Sequence, residues 1–167
     1  MDLGLKGKVA VITGGSKGIG KGIAKALASE GCRVVICARG QEALEAAGKE
    51  LKNSGAEVLA LPLDVTRKAD VVRLREETLK TFGQVDILVN NVGGNKRGKF
   101  ADTTDQDWRD IIDLNLLSHA EVSRAIIPEM QKQGSGTIVF ISSIFGRESG
   151  GPTLSIYNAT KSALISM

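Results

Sequence analysis

Tyr157 and Lys161 stand four residues apart in the segment YNATK. On a helix that spacing places both side chains on one face. A nearby ammonium favours phenolate over phenol. Such a pair can protonate a developing alkoxide, or deprotonate an alcohol, near neutral pH. Tyr157 is the only tyrosine in the chain. Ser143 closes an apolar run, GTIVFISS, where a hydroxyl can hold a substrate oxygen and stabilise charge on it. Asn115 lies in the helical stretch before that run. A Tyr-xxx-Lys pair is common by itself, so its meaning depends on what else the chain carries.

The stretch VAVITGGSKGIG, residues 9–20, supplies a second chemistry. Gly14, Gly18 and Gly20 follow a short β-branched run and open a stretch of helical periodicity. That setting makes a glycine motif informative. Glycine allows positive φ and close backbone approach, and a helix N-terminus offers unpaired N–H groups to an anion. A diphosphate fits there; a plain strand-to-helix turn is the other reading. The spacing, Gly-xxx-Gly-x-Gly, differs from the tighter Gly-x-Gly-xx-Gly fingerprint. No Gly-Lys-Ser/Thr follows, which argues against an ATP or GTP loop. An acidic residue ending the second strand would bond the 2′-hydroxyl of NAD. This chain has Ala38-Arg39 there instead. Arg39 can fork onto a 2′-phosphate, and Lys17 adds a second positive charge. The expected cofactor is therefore NADP. Asp64, after the third strand, sits where an adenine amine can be bonded.

Strand and helix signals alternate around these residues. Apolar runs at 8–13, 33–38, 57–64, 85–91 and 136–143 read as strands. Residues 18–29, 41–53, 67–82 and 105–131 read as helices, the last as one or two, and another starts near Tyr157. Gly31 and Gly55 are placed to stop the first two. Ile19, Ile23 and Leu27 form one expected core stripe, and Val71, Val72, Leu74, Leu79 and Phe82 another. Pro128 is expected to sit in a last turn or to bend its helix. Trp108 reads as a helix packing residue. The pattern predicts an α/β fold, a doubly wound parallel sheet of Rossmann type in one domain spanning 1–167.

Composition narrows the function classes. The chain has 167 residues, and 22 basic against 19 acidic residues leave a formal charge of +3. That is too mild, and too scattered, to indicate nucleic acid. No apolar run is long enough for a membrane span, and no signal-peptide pattern opens the chain. Cys32 and Cys37, five apart in one strand, point to opposite faces and cannot pair locally. Buried thiols and a cytoplasmic location are expected. His119 is the only histidine and no CxxC occurs, so no metal site is expected. His119 reads as structural. Lys96, Arg97 and Lys99 form a small positive patch, read as a solvated loop at the cleft mouth or as an attractor for anionic substrates.

Together the segments TGGSKGIG at 13–20, DV at 64–65, NNVG at 90–93, Asn115, ISS at 141–143 and YNATK at 157–161 resemble the short-chain dehydrogenase/reductase (SDR) family, in family order and over nearly the whole chain. The resemblance implies hydride transfer between NAD(P)H and a carbonyl, as in the 3-oxoacyl reductase-like group. It implies Tyr157 as acid/base, and Lys161 on the nicotinamide ribose. It implies Ser143 orienting the carbonyl, and Asn115 holding a relay water. Thr13, Gly14, Ser16, Lys17, Gly18, Ile19 and Gly20 would surround the cofactor with Val65, Asn91 and Gly93. Val92 replaces the family's usual alanine. The resemblance also implies homo-oligomers of the full-length protein and a small carbonyl or alcohol substrate. Family members are longer, and two further strands of their fold have no counterpart here. The expectation is therefore a piece of a longer reductase, with the fifth strand as an open edge. The alternative is an inactive cofactor-binding or interaction module that pairs with a full-length partner.

Overall fold

The computed structural model describes residues 3–148 and 150–167. Five strands, β1 (Val9–Thr13), β2 (Arg33–Ala38), β3 (Val58–Pro62), β4 (Ile87–Asn90) and β5 (Thr137–Phe140), form one sheet in the order β3-β2-β1-β4-β5. Every neighbouring pair is parallel. The helices are α1 (Gly18–Ser29), α2 (Gln41–Asn53), α3 (Lys68–Phe82), α4 (Asp105–Ile112), α5 (Ser118–Gln133) and α6 (Ser155–Ser166). Among the described residues, none is long and apolar enough to cross a membrane.

Both faces of the sheet are covered, which is why its central strands are apolar without alternation. β1 is buried along its whole length. Val9, Val11, Val35 and Leu88 pack one way, against Leu74 of α3 and Val122 and Ile126 of α5. Ala10, Ile12, Val34 and Ile36 pack the other way, against Ala24 of α1 and Leu44 and Leu51 of α2. Cys37 belongs to the first cluster and Cys32 to the second, both unpaired, as their spacing required. Burial pushes the Cys37 thiol up to about 12. Asp86 ties the strand starts together: it accepts from Val9 N (2.8 Å) and Gln84 Nε2 (2.6 Å), and pairs with Lys8 (3.1 Å).

Several elements differ from the expectation. β3, β4 and β5 are shorter than their apolar runs, because the chain leaves the ladder to build the loops above it. β5 alternates between exposed and half-buried residues and forms one edge of the sheet. The stretch 105–131 divides into α4, a π-helical turn at Asp113–Leu117, and α5, which continues to Gln133. Thr104 and Asp107 form a capping box that starts α4. Pro128 lies inside α5, ahead of the last turn. Val72 is 50% exposed, since Val71 and Leu74 already occupy the buried face of α3. Trp108 is half-buried, donates to Thr103 Oγ1 (3.1 Å) and meets the Phe100 ring edge-on, so it packs on a loop rather than on the core. α6 begins two residues before Tyr157.

Candidate active site

The strand order reverses between β1 and β4, and a crevice opens above their C-terminal ends, where open α/β sheets place ligands. The crevice encloses about 610 Å³, within the range of small-molecule sites. Thr13, at the end of β1, fastens its floor. Its hydroxyl accepts from the amides of Asn91 (2.9 Å) and Val92 (3.2 Å). The Asn91 side-chain amide in turn donates to the carbonyls of Thr13 (2.9 Å) and Gly14 (3.3 Å).

The glycine loop is shaped by sterics. Gly14 has φ +68°, and its amide and that of Gly15 donate to Cys37 O. A Cβ at Gly20 would collide with the Gly14 carbonyl and sit 2.5 Å from the Asn91 amide. Only glycine lets α1 start this close to the loop. The first turn of α1 has no acidic residue and no side-chain cap. Its N–H groups therefore remain available to an anion, and the donor set fits a diphosphate. Gly14, Ser16, Lys17 and Ile19 line the crevice, whereas Gly18 and Gly20 lie outside its lining. Ile19 is 66% exposed and forms a wall of the crevice instead of joining the core stripe.

At one end the crevice is lined by Arg39, Asp64 and Val65. Arg39 is exposed and makes no hydrogen bond or ion pair among the described residues; Lys17 is likewise exposed. Burial raises the Asp64 carboxyl. Bonds from the Thr66 hydroxyl (2.7 Å) and amide (3.0 Å), with Arg39 and Arg67 nearby, more than offset this and hold it below its ordinary value.

Tyr157 and Lys161 of α6 line the other end, with Asn91 and Gly93. Lys161 Nζ lies 5.7 Å from the Tyr157 ring centroid. It donates to Ile141 O (2.7 Å) and is almost wholly buried, which lowers its pKa. The two serines after β5 divide their work. Ser142 Oγ donates to Lys161 O (2.7 Å) and so anchors α6. Ser143 Oγ accepts from Phe145 N (3.2 Å), capping a short 3₁₀ turn, and its proton is left for another acceptor. Ser142 lines the crevice; Ser143 stands just beyond its lining.

Asn115 is fully buried in the π turn and does not line the crevice. Its Oδ1 accepts from Gly94 N (2.8 Å), and its Nδ2 donates to Gly94 O (2.9 Å) and Thr160 Oγ1 (3.0 Å). Both amide protons are committed, so what Asn115 can offer a water is an oxygen. Thr160 Oγ1 also donates to Tyr157 O (2.9 Å), which joins the π turn to the Tyr–Lys helix. The sequence did not point to Ser142, Leu114 and Cys37, which line the crevice, or to Thr160, which lies outside the lining and accepts from Asn115. Thr160 adjoins Lys161, but nothing local ties it to Asn115, 45 positions away. Lys96 pairs with Asp107 (3.3 Å), which draws one charge of the basic loop towards α4.

The short chain dehydrogenase family model matches residues 8–167. A ketoacyl reductase, HetN, from Nostoc sp. is 36% identical over 161 residues, covering 96% of this chain and 56% of the relative. Dehydrogenase/reductase SDR family member 4 from Oryctolagus cuniculus is 38% identical, covering 98% and 63%. A short chain dehydrogenase/reductase from Burkholderia phymatum, solved in complex with NAD, superposes with a TM-score of 0.93 at 35% identity, covering 97% of this chain and 58% of that one. The chain belongs to the short-chain dehydrogenase/reductase family, whose members are oxidoreductases that bind a nicotinamide dinucleotide. It spans 56% and 63% of the length of the two curated relatives.

Proposed function

We propose that this chain is the cofactor-binding and catalytic part of an NADP(H)-dependent reductase that converts a ketone or 3-oxoacyl carbonyl into a secondary alcohol. The observation that carries the reading is one crevice with a Tyr–Lys pair at one end and Arg39 and Lys17 at the other. A 3-oxoacyl substrate is favoured because relatives include a 3-oxoacyl-[acyl-carrier-protein] reductase from Staphylococcus epidermidis, 37% identical over 161 residues.

The bound dinucleotide supplies the hydride. Gly14, Ser16, Lys17 and Ile19 would hold it at the α1 N-terminus with Gly18 and Gly20, which shape the loop. Arg39, Asp64 and Val65 would hold the adenosine end, and Asn91 and Gly93 would line the nicotinamide side. Tyr157 gives the proton that the product oxygen needs, and the Lys161 ammonium stabilises the phenolate left behind. Ser143 donates to the carbonyl oxygen, adding stabilisation where negative charge develops. Asn115 fixes the wall behind Lys161 and offers an oxygen to a relay water. The full-length protein is proposed to be a cytoplasmic homo-oligomer acting on small carbonyl compounds. The inactive-module reading draws no support from the comparisons.

The test is NADPH consumption against a panel of 3-oxoacyl thioesters and simple ketones, with wild type and Tyr157→Phe. Loss of the general acid is expected to reduce turnover by about 10²- to 10⁴-fold while NADPH binding persists. Equal turnover in the two proteins would overturn the assignment.

A further inference from the structure

We infer that His119 is a positioning residue: through the carbonyl of Val92 it holds the segment 92–94 in the place that the dinucleotide and Lys161 require. The consequence for cofactor binding rests on the function proposed above; the mechanical part does not. His119 sits in the first turn of α5, directly after the π turn, and is 1% exposed. Its Nε2 lies 2.7 Å from Val92 O. A carbonyl only accepts, so Nε2 carries the ring proton and donates it. The ring stacks on Phe140 of β5, with centroids 6.1 Å apart and planes 21° apart, which fixes its orientation. Nδ1 is buried without a partner among the described residues, so the ring's hydrogen bond is the one to Val92.

Asn115 grips Gly94 through both its amide and its carbonyl. The backbone of Gly93 is thus held from both sides, by His119 at the preceding carbonyl and by Asn115 at the following peptide groups. Little slack is available between them. A Cβ at Gly93 would sit 3.4 Å from Lys161 Nζ and 3.4 Å from Asn115 Oδ1. A Cβ at Gly14 would sit 3.3 Å from the Val92 side chain. Moving Val92 therefore moves the wall that faces both the glycine loop and the ammonium. Interiors packed at this density transmit such shifts.

The test compares wild type, His119→Phe and His119→Gln in the free chain by amide hydrogen exchange, and then by NADPH titration. Phe keeps the ring stack and lacks the donor; Gln restores a donor. Gly94 N–H, which bonds to Asn115, is expected to exchange about five- to tenfold faster in H119F, the weight of one hydrogen bond. Val11 in central β1 should keep its rate, and H119Q should return Gly94 to within about twofold of wild type. The NADPH Kd is expected to follow the same order. Equal acceleration at Gly94 and Val11 would mean general loss of stability and overturn the inference, as would an unchanged Gly94. If wild type binds no dinucleotide, the proposed function fails, yet the exchange comparison still decides the mechanical claim. Should H119F not fold, imidazole ¹⁵N shifts of wild type decide: a proton on Nε2 supports the inference, and one on Nδ1 overturns it.

Discussion

Acidification should cost this fold a definite amount of stability through one side chain. His119 is buried, Nε2 is committed to Val92 O, and among the described residues Nδ1 has no partner to accept a second proton's hydrogen bond. Burial lowers its pKa first and most. The Val92 carbonyl opposes that, the Lys161 charge adds to it, and the result falls from an ordinary 6.5 to about 4. The unfolded chain therefore takes up a proton below pH 6.5 that the folded chain refuses until about pH 4. Stability is full above the unfolded value and is lost as pH falls through that window. At about 1.4 kcal/mol per pH unit, the gap from 6.5 to about 4 amounts to about 3 kcal/mol. Carboxylates held low, such as Asp86 and Asp64, lose stability in the same direction but equally in a variant that keeps them. Urea unfolding of wild type and H119Q at steps from pH 7.5 to 4 should thus show a wild-type curve that falls more steeply, by about 3 kcal/mol in all. Parallel curves, whatever their vertical offset, would show that His119 takes no part in the acid loss.

Gly20→Ala should destabilise the chain by about 1–3 kcal/mol, the range for overpacking, and weaken dinucleotide binding. Its new methyl meets the Gly14 carbonyl and the Asn91 amide, and urea midpoints with NADPH titration check both effects. Asp86→Ala should cost about 1–3 kcal/mol, because the Val9 amide at the buried start of β1 loses its acceptor. A change under about 0.5 kcal/mol, the scatter of surface substitutions, would show that water replaces the carboxylate there.

The doubly wound sheet was legible because β1 and β2 are buried on both faces and so read as unbroken apolar runs. The first two helices end just before Gly31 and Gly55, the glycines placed to stop them, both at positive φ. The π turn was not legible, since the apolar pattern of DLNLL runs on through it. Periodicity also misplaced Ile19, because an apolar cleft wall and an apolar core face carry the same signal in sequence. The Tyr–Lys spacing and the glycine loop could be read locally. The contacts that lock them together could not: Asn115 with Thr160, Ser142 with Lys161 O and His119 with Val92 join residues 19 to 45 positions apart. Family resemblance alone singled out Asn115. Its two-sided hold on Gly94 emerges only where the π turn faces the loop after β4.

The proposed preference of the crevice for a 2′-phosphate rests on Arg39, supported by Lys17. Its most direct test is a pair of fluorescence titrations of this chain, with NADPH and with NADH, repeated on Arg39→Asp. One charged hydrogen-bonding contact is worth about 1.5–3 kcal/mol. NADPH should therefore bind wild type about 10- to 100-fold more tightly than NADH, and R39D should remove or reverse that preference. Equal or tighter binding of NADH by wild type would contradict a 2′-phosphate site at Arg39.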